Sequence, residues 1–486
     1  MTRKISLGPL NRVEGDLDIQ LTLNEKDTES TFIESARINS TLYRGFENLL
    51  TGKSVMDALT ITPRVCGICS ISQSVAAAKA IANFAQIPMA ENGQRVTNTL
   101  LATEMVADII THFYLFFMPD FAHPAYKKMP WAEQVNENFT AVSGSQHGMM
   151  LKARAEFMHI MGILAGKWPH SMVFQPGGVS KAVSLSEQMK LLGIVANFKS
   201  FLEQQLFGDS LANICAIQNQ AELENWQQNH SKNHSHFSTF LTISQSLNLT
   251  EFGSSTSQFL AFPAFEQNTN NYYHGGVFLD QKIQPLAHEH IVEHHKFAKL
   301  YGSEFSPSQG LTQPDVDKKD AYTWCKAPRY NNHVMETGSL ARQFIEGDAL
   351  AQSLVNNTGA NIHNRMVLRL IEMAKLVTQI EFWLTEIEPS KSFCHHKALP
   401  KEGTGIGLSE AARGSLGHWF SVERGKITNY QLVAPTSWNF SPRDNQNIPG
   451  VLEQALADLP YANEKDKQML QHIIRSFDPC MLCTVH

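Results

Sequence analysis

Four of the seven cysteines stand in two Cys-x-x-Cys pairs, Cys66/Cys69 in RVCGIC and Cys480/Cys483 in DPCMLCTVH. From Cys69 to Cys480 is 480 − 69 = 411 positions. Paired thiols permit three chemistries. A structural zinc site normally has its halves about 15–20 residues apart, so this gap speaks against a local zinc ribbon. Two separate redox dithiols should each follow a strand inside a βαβ pattern, and the sequence has none. The third is one buried metal centre built where the two ends of the chain meet. Four thiolates suit nickel, iron or copper(I) better than magnesium or calcium.

Other residues capable of chemistry are weaker candidates. HEHIVEHH offers His288, His290, His294 and His295, and NHSKNHSH offers His230, His234 and His236. Both runs lie in polar sequence and lack a paired second half, so they read as solvated surface. Cys215, Cys325 and Cys394 are isolated and read as small buried residues.

The bulk composition narrows the class. The 486 residues are 43% hydrophobic and 18% charged, enough to bury a large core. The formal charge is −6, with no basic run and no basic–aromatic stripe, which argues against nucleic acid as a partner. No uninterrupted apolar stretch approaches about 18 residues, so no membrane span is expected. The opening MTRKISLGPLNRVEGD has no apolar h-region, which predicts a cytoplasmic protein without a secretory signal. In that compartment seven cysteines imply metal binding or reactive thiolates rather than disulfides.

The elements that must position the cysteines follow from periodicity. LDIQLTL (17–23) alternates apolar and polar residues and predicts a half-buried strand, with TFIESARI (31–38) as its partner. Segments 72–85, 91–117, 144–165, 184–207, 338–355 and 359–388 carry helical spacing. HWFSVERGKITNYQLVAP (418–435) predicts two strands about an Arg-Gly-Lys turn, with two short helices before the terminal cysteines. The fold class is α+β, mostly helical, with small sheets near the ends of the chain. Residues 220–310, rich in Asn, Gln, Ser and His, read as a polar, surface-exposed insertion within one unit spanning 1–486.

The flanking residues add a specific likeness. NRVEGDLDI, YRGFENLLTGK, PRVCGIC, FQPGGV, KAPRY, SLARQF, EAARGSLGHWF, NYQLVAPTSWN, PRD and DPCMLCTVH occur in that order along the whole chain. In these blocks the sequence resembles the large subunit of the [NiFe] hydrogenases. The resemblance implies that family's fold, a central helix bundle with small peripheral sheets. It implies heterolytic cleavage of H2 at a Ni–Fe(CN)2(CO) centre and an iron–sulfur small subunit as electron partner. Cys66 and Cys480 would be terminal nickel ligands, and Cys69 and Cys483 would bridge nickel and iron. Glu14 matches the proton-transfer glutamate. Arg413, Asp108 and Asp478 match the charged canopy over the metals. Thr436 matches the hydroxyl that bonds a cyanide. Glu47, the carbonyl of Leu432 and His486 match ligands of a Mg2+ ion.

The departures point to one branch. Gln73 stands where most members have a histidine, Ala412 where a proline is common before the canopy arginine, and Asp16 where the first block usually ends in histidine. These changes resemble the cytosolic branch of uptake enzymes and H2 sensors. Ile68 and Phe116 match gas-channel positions that are often Val and Leu, and the bulkier pair resembles the sensors. The chain also ends at His486, without the extension that catalytic members carry before processing. The resemblance therefore implies an H2 sensor passing its signal to a kinase or another electron acceptor, with an uptake hydrogenase as the alternative.

Overall fold

The computed structural model describes residues 2–25, 31–230, 235–267, 270–484 and 486. His234 lies outside them. The chain opens with strands β1 (Thr2–Leu7), β2 (Leu17–Glu25) and β3 (Thr31–Ser40), an antiparallel sheet with β2 in the centre. Leu17, Ile19, Leu21 and Leu23 of β2 are all buried, as the alternation predicts, because successive side chains of a strand face opposite ways.

Five helices frame the interior: α1 (Ser70–Ala85), α2 (Glu91–Thr111), α3 (Leu185–Phe201), α4 (Ser339–Glu346) and α5 (Ile362–Thr385). Helix α5 packs on α2, α3 and α4. One contiguous apolar core takes residues from Leu17 to Met481. The helical run Glu91–Ala122 is long and apolar enough to cross a membrane by length and composition, yet 83% of its apolar window is buried inside the molecule. It is a core helix, and Glu104 and Asp108 interrupt its apolar sequence.

Near the end comes another antiparallel sheet, of strands β4 (Gly403–Ala411), β5 (Gly414–Glu423) and β6 (Lys426–Val433). The sequence predicts β5, β6 and their turn but not β4. The reason is the composition of β4, GTGIGLSEA, whose glycines weaken the strand signal. Those glycines let α1 lie directly on the sheet. A Cβ at Gly407 would come within 2.0 Å of the Ala76 carbonyl, and one at Gly405 within 2.5 Å of that of Ala80. Helix α6 (Glu464–Ser476) then leads into the terminal cysteines.

Residues 220–310 depart from the surface reading. Phe237, Phe240, Phe259 and Leu260 are buried, and the first three join the main core. The histidine runs depart from it in part: His290 is exposed and His230 and His288 are half-buried, but the others described are buried. His236 is buried against Tyr114, 2.5 Å from its hydroxyl. His294 and His295 are buried because EHIVEHH forms a strand, Ile291–His294, paired with Ala327–Tyr330. Polar composition hides a short central strand whose histidines point inward.

Candidate metal centre

The four paired cysteines converge. Cys66 Sγ lies 3.5 Å from Cys480 Sγ, Cys69 Sγ 3.2 Å from Cys483 Sγ, and Cys480 Sγ 3.2 Å from Cys483 Sγ. All four are buried and none is in a disulfide. They sit in an apolar nest of Ala76 on α1, Leu416 on β5 and Ala434, with Ile68 and Leu482 packed at its edge.

Three devices hold the two loops together. The N-terminal segment pairs with the C-terminal one: the Glu14 carbonyl accepts from the Met481 N–H at 2.7 Å, and the Glu14 N–H donates to the Pro479 carbonyl at 3.3 Å. Gly15, at φ +80°, follows this pairing, and a Cβ there would sit 3.2 Å from Leu482. Arg44 donates to the Leu482 carbonyl at 2.6 Å and also to that of Val65, tying the residue before Cys66 to the residue before Cys483. Cys483 itself lies on a tight turn, its N–H on the Cys480 carbonyl at 3.0 Å.

The sulfurs fit a metal. Hydrogen bonds from Cys480, Cys483 and Cys69 hold the Cys66 thiol well below the usual range, while the same crowding and burial push Cys69 and Cys483 well above it. Four thiols in so small a space cannot all ionise without a cation between them. A soft cation would take all four as thiolates. Among the described residues, Cys66, Cys69 and Cys483 are the one group of three or more such ligands whose donor atoms lie within 4.8 Å of one another.

One charged cluster covers this centre. Arg413 grips Asp108 at 2.8 and 3.0 Å and donates to Asp478 through its backbone carbonyl at 3.0 Å and its carboxylate at 3.2 Å. All three are buried. Burial works against the Asp478 carboxylate, but Arg413, His112 and Arg369 together hold its pKa below the ordinary range. Burial raises Asp108 well above its ordinary range, with Arg413 opposing. Glu14 is also raised, first by burial and then by Asp478 and Cys66, again with Arg413 opposing. Thr436 accepts from the Cys480 N–H at 3.4 Å, so its hydroxyl stands at the base of the second cysteine loop. Gln73, one helical turn past Cys69, holds His418 at 2.8 Å through Oε1, and its Nε2 has no partner among the described residues.

A second cluster gathers Glu47, Leu432 and His486. Glu47 accepts from the Leu432 N–H at 2.8 Å and from Lys326 at 3.0 Å on each oxygen, and also from Thr312. Burial holds the His486 ring well below its ordinary range, with the Leu432 backbone opposing. Lys326 further reaches Gln431 at 2.8 Å and Glu293 at 3.3 Å. Two buried atoms here, Glu293 Oε1 and His486 Nδ1, have no partner among the described residues. Burial raises Glu293 to about 7, with Lys326 opposing. Two carboxylates against one ammonium leave this oxygen-rich pocket short of positive charge, which suits a hard divalent cation.

Ile68 packs against the sulfur nest. Phe116 is half-buried on the neighbouring π-helical turn His112–Phe117, and its carbonyl accepts from Arg12 at 3.2 Å. It is not among the described apolar side chains packed on the sulfur nest. Sequence reasoning assigns no role to Arg44 or Lys326, although both fall inside the family-like blocks, nor to Glu293. Their roles depend on partners more than 20 positions away.

The comparisons agree with this geometry. The nickel-dependent hydrogenase family model matches residues 44–125 and 116–486. The periplasmic [NiFeSe] hydrogenase large subunit of Desulfomicrobium baculatum is 26% identical over 99% of this chain and 95% of its own length. The Hydrogenase-1 large chain of Citrobacter freundii is 24% identical over 100% of this chain and 95% of its own. The reduced, active [NiFeSe] hydrogenase of Desulfomicrobium baculatum has the same fold, with a TM-score of 0.83 at 24% identity and full coverage of both chains. The family model covers most of the chain, and the chain belongs to the large subunits of the nickel-dependent hydrogenases.

Proposed function

We propose that the protein is the H2-activating subunit of an H2 sensor, with electrons leaving through an iron–sulfur small subunit. The observation that carries the catalytic part is the meeting of the four buried thiols. Cys66 and Cys480 would hold nickel, and Cys69 and Cys483 would hold nickel and iron together. That centre, when bound, supplies heterolytic cleavage of H2. The chain's own residues do the rest. The Glu14 carboxyl, kept basic by burial, takes a proton at the Cys480 side and passes it outward. Arg413, fixed by Asp108 and Asp478, keeps a permanent positive charge over the open face. The Thr436 hydroxyl would orient a ligand of the iron. Glu47, the Leu432 carbonyl and His486 would hold Mg2+ beside the centre.

The sensor part rests on Gln73, Ala412, Ile68 and Phe116, and cytoplasmic residence belongs to the same reading. The paired cysteines are committed to one centre and the other three are scattered, which supports electron exit through another polypeptide. The uptake enzyme is the second reading, supported by the uptake hydrogenase large subunit of Bradyrhizobium diazoefficiens, 23% identical over the whole chain. Infrared spectra of the purified heterodimer under H2 test the first part: CO and cyanide bands that respond to H2 are expected, and their absence would sink it. Turnover and O2 response separate the two roles. A sensor turns over slowly and survives air, and its Ile68→Val/Phe116→Leu variant becomes O2-sensitive. Fast turnover coupled to a respiratory acceptor would favour uptake.

A further inference from the structure

Helix α1 begins immediately after Cys69, which occupies its N-cap position and makes no side-chain capping bond. An N-cap side chain ordinarily accepts from the N–H groups of the second and third helical residues. Here it cannot, because the Cys69 sulfur is turned into the cysteine cluster. The amides left over are those of Ile71 and Ser72. Both are satisfied by one carboxylate from another helix. Glu104 on α2 accepts from the Ile71 N–H at 2.8 Å, the Ser72 N–H at 2.9 Å and the Ser72 hydroxyl at 2.9 Å. Its second oxygen also accepts from the Trp168 indole at 3.0 Å. Four donors meet one buried carboxylate, and the helix dipole favours negative charge at this place.

The residue four positions on, one turn along α2, is Asp108, which Arg413 grips. A single helix therefore sets both the start of the Cys69 helix and the canopy.

We infer that Glu104 is a positioning residue of the metal centre: its carboxylate replaces the missing cap on α1 and so fixes Cys69 relative to Asp108. The inference rests on the metal-centre reading above. A carboxylate offers two acceptor oxygens, whereas an amide offers one and places an N–H2 group against a donor. Glu104→Gln should therefore loosen the first turn of α1 while leaving the volume filled.

Hydrogen exchange on the purified heterodimer tests the cap directly. In the parent, the Ile71 and Ser72 amides should exchange slowly, and exchange at the rate of free amides would overturn the inference even if the variant fails to accumulate. In Glu104→Gln the peptide spanning 67–76 should exchange about tenfold faster, a single lost cap being of that order. Infrared spectra then test positioning, which a merely structural role would not move. The CO band should shift in Glu104→Gln and stay in place in Trp168→Phe, which removes only the indole donor. The same control for a buried carboxylate elsewhere is Glu453→Gln, whose partners are Ile38, Tyr322, Gly450 and, at 3.9 Å, Arg443. An unmoved CO band in Glu104→Gln, or equal shifts in all three variants, would overturn the inference. A parent without CO bands would instead defeat the metal-centre reading, and the exchange data would still judge the cap.

Discussion

Two buried charge clusters flank the sulfurs, and they balance charge in the same proportion by different means. Over the centre, the Arg413 guanidinium faces Asp108 and Asp478. Beside the terminal histidine, the Lys326 ammonium faces Glu47 and Glu293. Each has one cation to two carboxylates. The guanidinium is a planar fork with its donors at fixed angles, and it locks Asp108 through two parallel bonds. The ammonium is a point charge shared among Glu47, Glu293 and Gln431, and among the described residues Glu293 Oε1 and His486 Nδ1 are left without partners. Arginine fixes one geometry; lysine leaves the carboxylates able to meet a further cation.

The comparison can be broken in four ways. The strongest is to remove what both clusters surround. Cys480→Ala should lose all nickel and all H2 turnover, read by elemental analysis and a gas electrode. Stoichiometric nickel in that variant would mean the four sulfurs are not one centre.

Breaking the lysine cluster comes next. Lys326→Met leaves two buried carboxylates without their ammonium, a loss of about 3–5 kcal/mol for a broken buried pair. Urea unfolding measures it, and added Mg2+ should restore part of the loss. A deficit near zero would show that the carboxylates do not depend on Lys326.

The arginine cluster carries a pH signature. Burial holds the His112 pKa at about 4, below the 6.5 of the free ring, with Asp478 opposing. A depressed histidine keeps the folded state neutral while the unfolded chain takes up the proton first. Its contribution is therefore full above about pH 6.5 and is lost as the pH falls toward 4. The difference is about 3 kcal/mol at roughly 1.4 kcal/mol per pKa unit. His236, His363 and His472 are depressed to about 4 as well, so the whole protein should soften across this window. His112→Asn should lose about 3 kcal/mol less than the parent on acidification. Parallel stability curves for the two proteins would refute the assignment.

The smallest change separates fork from charge. Arg413→Lys retains the cation but loses the paired donors. Nickel content should hold while kcat falls about 100-fold, the scale of a lost preorganised donor. Unchanged kcat would reduce the guanidinium to a counter-charge.

Much of this is legible in the chain of letters. The four thiols are identifiable as one centre because cysteine pairs are rare and their flanking blocks are specific. Strand β2 is legible because its buried face alternates, and the long helices because their apolar residues recur at helical spacing. Strand β4 is hidden by its glycines, whose purpose appears only when α1 lies on them. The strand Ile291–His294 is hidden by polar composition, because a buried histidine and an exposed one are the same letter.

The sequence by itself determined which atoms could hold a soft metal, a property of residue type; Glu14 as proton carrier and Arg413 as the overhanging arginine came only from the family-like blocks around them. Only the tertiary structure decided the partners. Cys69 can cap nothing because its sulfur is committed, so Glu104 must reach across from α2, 35 positions away in sequence. Lys326 becomes a counter-charge only because Glu47 and Glu293 are folded onto it. Burial sets the sign and size of each of these interactions, and burial belongs to the packed chain rather than to any residue in it.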